Sequence, residues 1–122
     1  DFENKTLLLK ELDSKRSNYK QQDKKKGFTE EHGELISQED LIMKLVASKL
    51  TCFYCKKQVR IFYSKIRDPE QWTLDRKDND LPHTDDNTCI ACLKCNLDRR
   101  TTDMDKFNFT KNLTIKREEY NN

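Results

Sequence analysis

Apolar residues recur at helical spacing in one part of the chain and alternate in two others. Leu41, Ile42, Leu45, Val46 and Leu50 follow the helical period and predict a helix with one core-facing side. Ser37 followed by Asp40 gives it a start resembling a capping box. In "KKQVRIFYSK", Val59, Ile61 and Tyr63 alternate with polar residues, which predicts a strand. "QWTLDRK" predicts a second, short strand, with Trp72 and Leu74 on one face and Thr73 and Asp75 on the other. Pro82 and the Asp and Asn residues around it predict a loop. From Asn87, "NTCIACLKCNLDRRTTDMDKF" reads as a turn and then a helix. Strand, strand, loop and helix in this order form a ββα unit in an α+β chain.

The flanks are less regular. "LLLKELDSKRSNYKQQDKKKG" starts like an amphipathic helix at Leu7–Leu12 and continues as a polar, basic run to Gly27. It is expected to be an arm or linker, partly helical. Phe107, Phe109 and Leu113 are expected to pack back on the domain, with the last residues frayed. Tyr54, Phe62, Tyr63 and Trp72 are assigned to the core rather than to stacking on bases. The division is therefore a basic arm at 1–27, a domain at 28–113 with its core at 49–100, and a tail at 114–122.

Composition makes the core thin. Of 122 residues, 38% are charged and 34% hydrophobic, so a chain this short is expected to need a staple such as a metal. Net charge is only +2, but the charges come in blocks. Residues 1–26 carry eight Lys or Arg against five acids; 28–50 are acidic, 51–70 basic and 71–90 acidic. Such alternation suits one basic surface and one carboxylate-rich pocket. No apolar run approaches the roughly 20 residues that a bilayer requires, and no signal-peptide pattern is present. The chain begins at Asp1 and not Met, as a fragment or a processed product would. The expected location is intracellular (nucleus, cytoplasm or viral factory), not secreted, and no membrane partner is expected.

Four of the five cysteines form two close pairs, Cys52/Cys55 and Cys92/Cys95. Two intervening residues let both thiolates of a pair converge on one ion, and two pairs make a closed tetrahedral site for structural Zn²⁺. Four thiolates leave no open position for water. Cys89 is read as a small buried hydrophobe, not a ligand.

The order of these motifs carries a resemblance. CxxC, a strand ending in Leu74-Asp75, a loop, Asn87 and then "CLKCN" resemble the HNH endonucleases of the ββα-metal superfamily. The likeness is to a subset with "LDR-x-DN" and "CLxCN" found among phage and large DNA virus proteins. It spans about Lys49 to Arg100 and implies a small zinc-stabilised ββα-metal domain, here preceded by an amphipathic helix and the basic arm. It also implies roles: Asp75 and Asn96 as ligands of a catalytic Mg²⁺ or Mn²⁺, and Asn87 as the residue that fixes the loop holding the base. Hard oxygen donors suit those ions.

One position departs from the pattern. Arg76 stands where the family has the histidine that takes a proton from water. A guanidinium cannot act as a base, having no free lone pair and a pKa above about 12; it can hold a phosphate with its planar fork. His83, in the loop before Asn87, is the first candidate base, the alternative being an exposed loop histidine. Asp78 is the second, and reads more simply as a turn residue. Water bound to the metal could also serve with little help. His32 receives no role. Lys24, Lys25, Lys26, Arg76, Arg99 and Arg100 are candidate phosphate contacts, which position a nucleic acid without reading its sequence.

The leading expectation is a metal-dependent HNH-type endonuclease that hydrolyses DNA phosphodiester bonds. The alternative is a catalytically inactive HNH-fold zinc-binding module that binds nucleic acid or a protein assembly. A third reading is a zinc-bound subunit of a larger protein assembly.

Overall fold

The computed structural model describes residues 2–121. Its centre is an antiparallel hairpin of β1 (Trp72–Arg76) and β2 (Thr88–Cys92). Trp72 pairs with Cys92, Leu74 with Ile90, Asp75 with Cys89 and Arg76 with Thr88. Every residue of β2 is buried. Among the described residues four helices accompany the hairpin: α1 (Phe2–Lys25), α2 (Gln38–Ala47), α3 (Leu93–Arg99) and α4 (Met104–Asn121), with a 3-10 turn at Glu30–His32. The chain is thus α+β, and the core joins Leu12 and Tyr19 of α1, Leu41 and Leu45 of α2, both strands and Cys95 of α3. Among the described residues, no helix is long and apolar enough to cross a membrane.

The ββα order is present but shifted along the chain. The segment expected to be the first strand, around Val59–Tyr63, makes only isolated bridges, Thr51 to Gln58 and Arg60 to Gln71. Beyond Trp72, whose N–H bonds to Arg60 O at 2.9 Å, the free edge of β1 is taken up by α1. The Leu74 N–H donates to the Tyr19 hydroxyl at 3.0 Å. No ladder can continue past that contact. The second strand is instead "TCIAC", where the sequence pattern predicts turn and helix. Thr88 and Ile90 are β-branched and favour a strand, and helix α3 waits until Cys92, whose Sγ caps it by accepting from Cys95 N at 3.4 Å.

The N-terminal region is the largest departure. Residues 2–25 form one continuous helix packed on the domain, not an arm. Leu12, Lys15, Tyr19 and Asp23 are buried and follow one another at three- and four-residue steps, so they form a single stripe. Trp72 Nε1 donates to Glu11 Oε2 at 2.8 Å, fastening the helix to the hairpin. Helix α2 forms as expected: the Ser37 hydroxyl accepts from Asp40 N at 3.1 Å, and Leu41 and Leu45 face inward. Val46, on the same predicted stripe, is exposed.

Two more expectations change. Phe62 is exposed, while Tyr54 and Trp72 are fully buried. Of the C-terminal apolar residues, Phe107 packs edge-on against Tyr54, with ring centroids 5.0 Å apart, but Phe109 and Leu113 remain exposed. Residues 114–121 continue α4 rather than forming an irregular tail. Asp1 and Asn122, the ends of the expected arm and tail, lie outside the described residues.

Candidate functional site

The cysteines assemble as their spacing implied. Cys52 and Cys55 lie in the turn that follows α2; Cys92 and Cys95 lie at the end of β2 and in α3. All four Sγ atoms fall within 4.8 Å of one another, and Cys55 Sγ and Cys92 Sγ are 3.9 Å apart. A tetrahedral zinc site with bonds of about 2.3 Å requires sulfurs roughly 3.8 Å apart, whereas a disulfide requires about 2.0 Å. The four thiols also compete for charge. Hydrogen bonds from Cys92 and Cys95 drive Cys52 strongly toward thiolate. That same thiolate raises Cys92 to about 11 and pushes Cys95 up further. Ionising all four together requires a cation among them. The group fits a zinc knuckle and could bind a metal such as zinc. Cys89 stands outside it, buried on the core side, with its thiol pushed up to about 12 by burial.

Beside the knuckle lies a cavity of about 510 Å³ between α1, β1, α3 and the 77–87 loop. Its lining includes Asp75, Arg76, His83, Asn96 and Arg100, together with Lys15 and Tyr19 of α1. The hairpin brings Asp75 to the end of β1. One of its oxygens, Oδ2, accepts from Arg99 Nη1 at 2.6 Å and from the Tyr54 hydroxyl. Oδ1 has no such bond among the described residues. Asn96 donates through Nδ2 to Thr73 Oγ1 at 3.0 Å and Leu74 O at 3.5 Å, which fixes the amide against β1 and leaves its Oδ1 without a partner among those residues.

Arg99, a candidate phosphate contact, is turned inward. It is 1% exposed, and its guanidinium is used internally. Besides Asp75 it donates to Arg76 O, to Lys77 O at 2.9 Å and to Thr102 O at 2.9 Å. It cross-links the end of β1 to the exit of α3. Arg100, the next residue, is exposed at the cavity and closes α3 with φ of 51°. Lys24, Lys25 and Lys26 are exposed at the end of α1.

Asn87 binds the loop from inside. Its Oδ1 accepts from Asp78 N at 2.9 Å, and Nδ2 donates to Asp78 O at 3.0 Å, Pro82 O at 2.9 Å and Leu81 O at 3.3 Å. Arg76 joins it, donating through Nη1 to Asn79 O at 3.1 Å and Leu81 O at 3.4 Å. Asp78 is a turn residue: its Oδ1 accepts from Asp80 N at 2.9 Å. Gly33 allows the preceding segment to lie against this loop. A Cβ there would sit 2.6 Å from Thr84 Cγ2, at a φ of 124° that only glycine adopts readily.

His83 is not an exposed loop histidine. It is 3% exposed. Its Nδ1 lies 2.7 Å from Asp23 Oδ1, and its backbone N–H donates to Asp23 Oδ2 at 3.0 Å. Its carbonyl accepts from Ile36 N at 2.9 Å. Its ring stacks on Tyr19, with centroids 4.4 Å apart and planes 27° apart. Burial lowers its pKa below the ordinary 6.5, against the opposing pull of Asp23; Arg76 lowers it further and Asp75 raises it. An imidazole kept neutral can accept a proton.

Sequence reasoning missed what α1 supplies. Lys15 donates to Gln71 Oε1 at 2.9 Å and to Trp72 O, beneath the cavity; burial lowers its pKa to about 8. Tyr19 and Asp23 meet His83 across some sixty residues of sequence. The one signal that could have found them is their helical spacing from Leu12. Neither a family model, nor a curated protein, nor a solved structure matches the chain.

Proposed function

We propose that the protein is a metal-dependent endonuclease of the HNH type that hydrolyses phosphodiester bonds in DNA, with its base moved from the position of Arg76 to His83. What carries this reading is one cavity lined by an acid, an amide and a buried neutral imidazole drawn from three separate segments. Asp75 Oδ1 and Asn96 Oδ1 are hard donors suited to Mg²⁺ or Mn²⁺. Such an ion, when bound, supplies charge to the phosphate oxygens and to the departing oxygen. His83 accepts a proton from water at Nε2 as the water oxygen bonds to phosphorus. The bond from phosphorus to the leaving oxygen breaks, and that oxygen takes up a proton from solvent. Arg100 and the N–H groups of Arg76 not used in the loop bind phosphate. Asn87 and Arg76 keep the loop, and hence the imidazole, in place. The cysteine group holds zinc and anchors α3, which carries Asn96 directly after Cys95.

Plasmid nicking tests this. The protein is expected to nick with Mg²⁺ or Mn²⁺ and not in excess chelator, and Asp75→Ala to abolish nicking. His83→Ala is expected to slow it by roughly 10²–10⁴. Steep loss of DNA binding with salt, flattened when Lys24–Lys26 are neutralised, is the expected signature of phosphate contacts.

One observation favours the second reading, an inactive zinc module that binds nucleic acid or a protein assembly. Arg99 and Tyr54 already occupy one oxygen of Asp75, as they would if the acid were purely structural. An inactive parent protein that gains nicking on Arg76→His would establish it.

A further inference from the structure

Asp23 lies outside the part of the chain that resembles a nuclease, yet it hydrogen-bonds to both the ring and the backbone of His83. Both its oxygens are used on this one residue, the first at 2.7 Å from Nδ1 and the second at 3.0 Å from the backbone N–H. A carboxylate has no proton to give at neutral pH, so Nδ1 must carry the hydrogen. The neutral ring then has its lone pair on Nε2. Nε2 has no partner among the described residues, and no fully buried side-chain nitrogen or oxygen there lacks one, so Nε2 keeps some exposure on a ring that lines the cavity. Tyr19 prevents the ring from turning by stacking on its face, and the Tyr19 hydroxyl is itself held by Leu74 N–H.

We propose that Asp23 is a positioning residue: it fixes His83 as the Nδ1–H tautomer and aims the Nε2 lone pair into the cavity shared with Asp75 and Asn96. This deepens the nuclease reading and rests on it for its consequence in catalysis. The unit that performs the chemistry then begins in α1, not at the first cysteine pair. The arrangement follows a general rule, in which the partner of one imidazole nitrogen sets what the other can do.

The two histidines allow a test that needs no turnover. His32 Nδ1 accepts from Thr29 N–H at 3.0 Å, so the neutral His32 ring carries its proton on Nε2. The protein therefore holds one histidine of each tautomer. Nitrogen-15 spectra of the full chain with labelled histidine, recorded at neutral pH, are expected to show a protonated Nδ1 for His83 and a protonated Nε2 for His32. Asp23→Asn presents an amide that can face Nδ1 with its NH₂ group, so the His83 signal is expected to shift toward the other tautomer while His32 stays unchanged. Asp23→Asn is also expected to reduce the rate of nicking at saturating DNA by at least tenfold, leaving KM and zinc content as in the parent. Asp23→Glu is expected to recover part of the rate.

A parent His83 already in the Nε2–H form, or a tautomer that ignores Asp23→Asn, overturns the proposal. So does an Asp23→Asn protein that nicks at the parent rate. If the spectra behave as expected but the parent cuts no DNA with any divalent ion, the positioning stands and the nuclease reading falls.

Discussion

Replacing Arg99 by Met separates a buried structural cation from a phosphate contact. The substitution keeps the aliphatic bulk and removes the guanidinium. It leaves the Asp75 carboxylate, 4% exposed, without its counter-charge, and strips the carbonyls of Arg76, Lys77 and Thr102 of a donor. Removing one partner of a buried ion pair costs about 3–5 kcal/mol, because the remaining charge stays desolvated. For 122 residues, unfolding entropies of about 2.1 cal/mol/K per residue convert this to a fall in Tm of roughly 12–20 °C. The assay is denaturant unfolding of the metal-loaded protein, read beside Arg100→Met. Arg100 is exposed, so its loss is expected to cost no more than about 0.5 kcal/mol. A double-mutant cycle sharpens the result. Asp75→Asn, made in the Arg99→Met background, removes the stranded charge and is expected to cost less there than in the parent. If Arg99→Met costs under about 1 kcal/mol, or if the two changes add, the guanidinium is not buried against Asp75. A reduced salt slope of DNA binding with stability intact would return Arg99 to the phosphate contacts.

Three further outcomes follow from the same geometry. Cys52→Ser is expected to release bound metal and broaden unfolding, whereas Cys89→Ala leaves metal content unchanged; elemental analysis and thermal melts check both. Leu12→Ala is expected to destabilise the protein by about 2–5 kcal/mol in denaturant titrations, since Leu12 is fully buried; a neutral outcome would make α1 the loose arm that its polarity suggests. Stability also carries a pH dependence from His83. Burial holds its folded pKa below the ordinary 6.5, so the unfolded chain binds the extra proton first and the contribution is present above that value. Unfolding free energy is expected to decline as pH falls from about 6.5 through the folded pKa, and His83→Gln to flatten that window. The charged and titratable groups facing the ring are Asp23 and Tyr19 from α1 and Asp75 and Arg76 from β1.

Local signals in the chain were enough for some elements. Two CxxC pairs can meet only if the segments carrying them fold together, so the cysteine group was legible from spacing alone. Helix α2 was legible because its cap and its apolar stripe lie within a dozen residues of each other. β1 was legible because Trp72 and Leu74 alternate with polar neighbours. "TCIAC" misled because a short, wholly buried strand has no alternation to display. Val59–Tyr63 alternates as a strand does, but a strand also needs an open edge, and the hydroxyl of Tyr19 occupies the edge it would have joined. Helix α1 was hidden for another reason. Its buried stripe runs Leu12, Lys15, Tyr19, Asp23, and a stripe containing a lysine and an aspartate looks solvated until its partners are known. Those partners, Gln71 and Trp72 for Lys15 and His83 for Asp23, lie 56 to 60 residues away. The same distance concealed the fates of Arg99 and His83. A charged side chain and an imidazole carry no mark of burial in the sequence, and only the packing of α1 and α3 against the hairpin decided that Arg99 pairs with Asp75 and that His83 is held by Asp23.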